Sequence, residues 1–255
     1  MQGIYALTLS RSDSLETQEK FLKESIAQTY TLYLLILSLL RELHELAQTR
    51  LAKGQKKYLK ASETDRPGPR RLSENKLLLK LVGNESLTKA LQKRKLRQWY
   101  LNEEYVKILY KQIIESPEYL AYCQNPGGWE EDRDFILTVY EDIIAPNDKV
   151  FEFLEDESIT WVDDLPLVNT FIMRRLGKMK ESASEMYVLP KLLKSEEDME
   201  FAMKLLRTTL LRSADLSAEI TGKTPNWDKD RIADIDGILL RMGIAELLYF
   251  PSIPE

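Results

Sequence analysis

Apolar residues recur at three- and four-residue spacing along most of this chain, the period of one face of an α-helix. Phe21, Leu22, Ile26, Tyr33, Ile36 and Leu40 keep that spacing within a proline-free stretch from Leu15 to about Leu59. The stretch predicts one very long amphipathic helix, or two with a break near Gly54. ASETDRPGPRRLSEN (residues 61–75) then reads as a loop, with two prolines and a glycine among polar residues. Ser73 is expected to start a short helix that ends at Gly83, and Asn84 or Ser86 to start another. Residues 96–114 predict a helix with an apolar stripe of Tyr100, Val106, Tyr110 and Ile114. SPEYLAYCQ predicts a proline-started helical turn. NPGG is a turn before EEDRDFILTVYEDIIAP, which Asp132 or Asp134 is expected to cap. PNDKVFEFLED and WVDDLPLVNTFIMRRLGKM predict two more helices. The acids at 196–198 suit the start of a helix reaching Leu216. After a break at residues 222–226 comes a closing helix, with Ile232, Ile235, Leu239 and Met242 as its core stripe and Asp236 off it. Residues 1–10 (MQGIYALTLS) read as a helix already under way, with Ile4, Leu7 and Tyr5 toward one side.

Ten glycines and ten prolines cluster instead of recurring at strand-like intervals, so the fold class is all-α. At 255 residues the chain can bury one large core or two smaller ones. Its single cysteine, Cys123, allows no intramolecular disulfide and favours a reducing, cytoplasmic setting. LYLLILSLL (residues 32–40) is far shorter than the ~20 residues that span a bilayer, so no membrane is expected as a partner. The net charge of −5 is unevenly spread. Residues 41–100 carry 16 Lys and Arg against 6 Asp and Glu, whereas residues 101–200 carry 10 against 23. The basic part suits nucleic acid; alternatively the two parts pair with each other.

Catalytic chemistry finds no motif. His44, in RELHEL, is the only histidine and is expected on an exposed helix face, so a metal site lacks further ligands. The paired acids Asp163–Asp164 and Glu130–Glu131–Asp132 sit where helices start and read as caps. Cys123 has no histidine to activate it. No phosphate loop is present, and no cofactor or metal is called for. KALQKRKLRQWY (residues 89–100) is the best RNA-like patch: Lys93, Arg94, Lys95 and Arg97 suit phosphates, and Trp99 or Tyr100 suits an unpaired base. The competing reading is a solvated helix face with Trp99 and Tyr100 in the core.

The closing segment, NW-x3-RI-x2-ID-x-ILLR-x-GIAELL-x3-SIP, resembles the bacterial NusB family of transcription antitermination factors. The residues that carry the resemblance are Ile235, Asp236, Ile238, Leu239, Arg241, Ala245, Glu246, Leu247, Ile253 and Pro254. Gly243 departs from it, standing where the family usually has alanine, at a helix cost of roughly 1 kcal/mol unless a neighbour packs there. MQGIYALTLS is similar to the first family helix, and DMEFAMKLLRTTLL (residues 198–211) to a central one. The resemblance implies a NusB-like helical bundle made of residues 1–15 and 191–255, with a large all-helical insertion at 16–190 of the kind found in Bacteroidetes-type members. It implies a core incomplete at both ends: the family has an arginine-rich segment before the first helix and two helices after the Ile-Pro. Apolar surface around Leu247, Leu248 and Tyr249 is then expected to be covered by the inserted helices or by a second chain.

The implied role is non-enzymatic. The family binds boxA-type RNA together with NusE, a small-subunit ribosomal protein, and acts on the RNA polymerase elongation complex through them. Tyr5 and Asp236 match positions at the NusE surface, and Arg241 matches a basic position near the RNA. Core packing for Tyr5 and a solvated helix acid for Asp236 are the competing readings. A helical scaffold or protein-interaction module with little RNA binding of its own is the alternative for the whole chain. Homodimer formation is left open.

Overall fold

In the computed structural model, the described residues are 1, 3–5, 14–57, 70–125, 127–221, 223 and 233–251. Among them the fold is all-α, with no strand. Expectations that rest on Leu7, residues 222 and 224–226, Ile232, Ile253 and Pro254 lie outside the described residues. The chain divides into two compact units: residues 1–27 with 191–255, and residues 28–190.

The first helix, α1 (Leu15–Lys57), runs 43 residues without a break at Gly54, roughly 65 Å at the α-helical rise. It begins in the first unit and continues in the second. Residues 32–40 are all buried, so this stretch is surrounded on every side, and its one serine, Ser38, is satisfied by donating to the Leu35 carbonyl at 2.7 Å. Around it the second unit builds α2 (Arg70–Ser73), α3 (Lys76–Val82), α4 (Glu85–Lys93), α5 (Gln98–Leu101), α6 (Glu103–Glu115), α7 (Pro117–Gln124), α8 (Trp129–Val139), α9 (Asp148–Glu157) and α10 (Trp161–Gly177). A π-helical turn at Tyr140–Ile144 extends α8, and a 3-10 turn at Glu185–Val188 follows α10.

Asparagines start several of these helices. Asn75, Asn84 and Asn147 accept the amides of Leu78, Leu87 and Val150, satisfying N–H groups that have no intrahelical partner. Asn75, not Ser73, therefore starts the helix that ends at Gly83. Ser116 caps α7 and Pro117 takes its first position, as expected. At α8 the expectation fails: Gly128 occupies the cap, and Asp132 is 2% exposed. Its Oδ2 accepts the Lys76 amide at 2.8 Å, while its Oδ1 accepts the Tyr122 hydroxyl at 2.7 Å and faces Arg71 at 3.5 Å. Asn75 Nδ2 donates to the Asp132 carbonyl at 2.9 Å. One buried carboxylate thus joins α2, α3, α7 and α8. Gly127, at φ +84°, turns the chain into α8; a Cβ there would also meet the Arg71 guanidinium at 2.5 Å.

His44 corrects a second expectation. It is buried, not exposed, because α1 is still enclosed at Leu43, His44 and Ala47, and its Nε2 donates to the Ser73 carbonyl at 2.9 Å. Burial holds its pKa below the usual 6.5. The unfolded chain binds a proton that the folded chain resists, so stability is present above 6.5 and declines as pH falls below it. Urea midpoints measured across that window should fall with acid in the wild type and less steeply in His44→Gln.

The first unit is built from the turn at residues 3–5, the start of α1, and α11 (Glu196–Leu211), α12 (Ser213–Thr221) and α13 (Asp234–Tyr249). Asp198 reaches back to the Lys194 and Ser195 amides at the start of α11. The helix expected to reach Leu216 instead ends at Leu211 and restarts at Ser213. Ile238 packs with Ile4, Leu206 and the half-buried Tyr5, while Ala245 packs with Leu205, Leu216 and Phe250. Arg207 forms an ion pair with Glu19 of α1. Among the described residues, no helix is long and apolar enough to cross a membrane.

Candidate functional site

The residues singled out by sequence fall in both units. In the first unit they lie on or beside α13. Its inward stripe is Ile238, Met242 and Ala245; of the expected Ile235, Leu239 and Met242, it keeps Met242 alone. Ile235 and Leu239 are instead 46% and 49% exposed. α13 carries two apolar stripes at helical spacing, and Ala245, on the buried one, packs against Leu205 of α11 and Leu216 of α12. The outward stripe, with Asp236, Leu239, Leu240, Gly243, Ile244 and Leu247, lines a shallow trough of about 520 Å³. Leu247 and Leu248 are both exposed, and Tyr249 is half-buried. A Cβ at Gly243 would meet no atom within 4 Å, so within the described residues its helix cost is uncompensated.

Asp236 stands exposed in the first turn of α13, beside these leucines. Tyr5 is half-buried against Ile4, Leu206 and Ile238, so both readings of it hold in part: its ring contributes to packing and an edge remains accessible. Arg241 is half-buried and committed internally. Its Nε donates to the Gly237 carbonyl at 3.1 Å and its Nη1 to Ser213 Oγ at 2.7 Å, tying α13 to α12.

In the second unit the basic segment is not one helix face. The helix expected over residues 96–114 is broken twice, at the turn between α4 and α5 and at Asn102 (φ −126°, ψ 57°). The Leu96 amide donates to the Leu91 carbonyl at 3.1 Å and the Lys95 amide to that of Gln92 at 3.0 Å, the hydrogen-bond pair of a Schellman motif. Lys95 takes the left-handed position at φ 55°, where glycine is usual. The turn separates the four cations. Arg94 donates to Thr31 Oγ1 at 3.1 Å and lies over the Tyr30 ring, whereas Lys93 is exposed to solvent. Lys95 and Arg97 line a cleft of about 660 Å³. Trp99 is core, its indole N–H donating to the Leu35 carbonyl at 2.8 Å, and this turns its neighbour Tyr100 outward to 63% exposure. The competing reading, with both rings in the core, holds for Trp99 and fails for Tyr100.

The cleft also holds Arg41, Glu42 and Glu45 of α1, which the sequence reading passed over in favour of His44. The signal was present in RELHEL, where charges at positions one, two and five follow a largely apolar run. Replacing Lys95 by glycine should raise stability by about 1 kcal/mol by relieving the left-handed conformation; urea unfolding checks this.

Elsewhere, Asp164 accepts from Thr29 Oγ1 at 2.7 Å in the first turn of α10. Burial pushes the Cys123 thiol up, away from the reactive thiolate. Among the described residues, no group of three or more His, Cys, Asp or Glu is placed to hold a metal ion.

A family model described as the NusB family matches residues 167–255, which include α11, α12 and α13 with Asp236 and Arg241. Several curated proteins named transcription antitermination protein NusB are similar over part of the chain. One from an Exiguobacterium species is 36% identical over 63 residues, 25% of this chain and 49% of the relative. One from Chloroherpeton thalassium is 33% identical over 55 residues, 22% of this chain and 26% of the relative. One from Geotalea daltonii is 30% identical over 89 residues, 35% of this chain and 59% of the relative. The chain therefore spans about half or less of the length of the first two and about three-fifths of the third. No solved structure matches. The matched segment is the one that carries the closing helix, and it is over this segment that the chain is similar to the NusB family.

Proposed function

We propose that this chain is a non-enzymatic transcription antitermination/termination factor of the cytoplasm. It binds boxA-type RNA together with the ribosomal protein NusE and acts on the RNA polymerase elongation complex through them. Residues 1–15 and 191–255 form its NusB-like core, and residues 16–190 are inserted. The observation that carries this reading is the outer face of α13, where exposed Asp236 stands at one end of an uncovered apolar stripe within the family-matched segment. A carboxylate beside exposed leucines suits a partner that is basic and offers an apolar anchor, which is the chemistry of a ribosomal protein. Tyr5 lies on the same unit and offers an amphipathic edge. Arg241 contributes first by holding α13 to α12, leaving Nη2 for a phosphate. Lys93, Arg94, Lys95 and Arg97 add cations from the inserted unit.

The test is a calorimetric titration of the full chain with NusE, with and without fluorescent boxA-like RNA, at two salt concentrations. Asp236→Lys should weaken NusE binding by roughly tenfold or more. RNA binding should fall steeply with salt as neutralised phosphates release counterions. A folded chain that fails to bind NusE, or binds it equally well with Lys at position 236, would overturn the reading. Salt-insensitive or absent RNA binding alongside tight protein binding would favour a protein-interaction scaffold.

A further inference from the structure

We infer that the cleft between α1 and the α4–α5 turn is a base-reading pocket that takes a single unpaired guanine nucleotide of RNA. This rests on the reading of the chain as an RNA-binding factor, but it concerns a site in the unit of residues 28–190.

Unused charge is the first argument. Arg41, Glu42, Glu45, Lys95 and Arg97 line one cleft, yet none of these side chains forms an ion pair or hydrogen bond among the described residues. Nearby charges on the same unit do pair, as Glu85 does with Lys89 and Glu103 with Lys107. Arg41 is the clearest case, because its Nε is buried and has no partner. A buried, unpaired donor is costly, and buried polar groups left open in this way point to an absent partner. Burial, reinforced by Glu45, raises the pKa of Glu42, and the nearby Arg41 offsets this only in part.

The mixture of groups identifies the ligand class. A bare phosphate would meet Glu42 and Glu45 and be repelled; an uncharged apolar molecule would leave all five charges unpaired. A nucleotide meets both signs, offering a phosphate to the cations and a base edge to the acids. Among the bases, guanine presents two adjacent donors, N1–H and the N2 amino group, which fit a carboxylate. It also presents two acceptors, O6 and N7, which fit a guanidinium. Adenine lacks the N1–H donor and offers the acids its N6 amino group alone.

The geometry provides the rest. About 660 Å³ lies within the usual size of small-ligand sites. Tyr100, exposed on the lining, presents a ring face for stacking, the sequence-tolerant part of single-strand binding. Lys95 and Arg97 line the cleft at the turn, Lys95 being held in a left-handed conformation that glycine would adopt more easily. Retaining lysine there keeps a cation at the cleft.

Fluorescence anisotropy of the full chain with labelled oligouridine octamers tests this, one octamer carrying a central guanine and the other a central adenine. The guanine octamer should bind about tenfold more tightly. The double variant Glu42→Gln, Glu45→Gln should lose that preference while still binding both octamers. Tyr100→Ala, at an exposed position that leaves folding intact, should weaken both by roughly tenfold. Equal affinity for the two octamers in the wild type overturns the proposal, as does a guanine preference that survives the double variant. Octamers that do not bind at all, from a chain that still assembles with NusE and boxA-like RNA, overturn this pocket and leave the family role standing. Guanine preference without NusE binding does the reverse.

Discussion

Asp132→Ala should cost the unit of residues 28–190 about 3–5 kcal/mol. That is a large share of the roughly 5–15 kcal/mol that holds a domain folded. The substitution strips the Lys76 amide, the Tyr122 hydroxyl and the Arg71 guanidinium of their acceptor at once, and leaves them buried or half-buried. Four helices meet at this carboxylate, so the loss is not local to α8. Asp134, two positions on, is exposed and paired, among the described residues, with Arg133; its removal should change stability by less than about 0.5 kcal/mol. Three of the four tryptophans, Trp99, Trp129 and Trp161, lie in this unit, so tryptophan fluorescence during urea unfolding reports mainly on it for both variants. Similar midpoints for the two would mean that the buried carboxylate is not a structural junction.

The second large effect concerns which side of α13 is core. Ile238→Ala should destabilise the unit of residues 1–27 and 191–255 by about 2–4 kcal/mol, because it opens a cavity against Ile4 and Leu206. Leu239→Ala, one residue on, should shift stability by no more than about 0.5 kcal/mol, since Leu239 is half exposed. The same leucine should matter when a partner is added, as part of the outer face beside Asp236. Native-state hydrogen exchange of residues in α11 and α13 separates the two effects, with protection lost in Ile238→Ala and retained in Leu239→Ala. A reversed order would restore the stripe expected from sequence.

Much of the helical architecture was legible. The unbroken α1, the proline-started α7, the asparagine start of α4 and the acid-capped α11 all follow from residues whose local chemistry acts within one or two turns. The misreadings arose where the answer depended on residues distant in sequence. Residues 96–114 have a helical apolar period, yet Trp99 bonds Leu35 from 64 positions away, and the chain bends to allow it. Asp132 resembled a cap because it stands in the first turn of a helix. Only the approach of α3 and α7 turns it inward. His44 looked exposed because its neighbours Glu42 and Glu45 are polar.

For the candidate sites the division is similar. The closing motif and the cationic run were visible as residues, and so was the family resemblance they carry. The sequence by itself determined the helix period, the caps, the charge separation and the identity of the closing segment, since each is a property of residues within a few positions of one another. The tertiary structure alone decided which of two equivalent stripes on α13 is buried, and that Arg41, Glu42 and Glu45 share a cleft with Lys95 and Arg97. Those depend on close packing between distant segments, as at Ala245 against Leu205 and Leu216, and on the left-handed turn at Lys95, which together select one arrangement among several that satisfy the same local pattern.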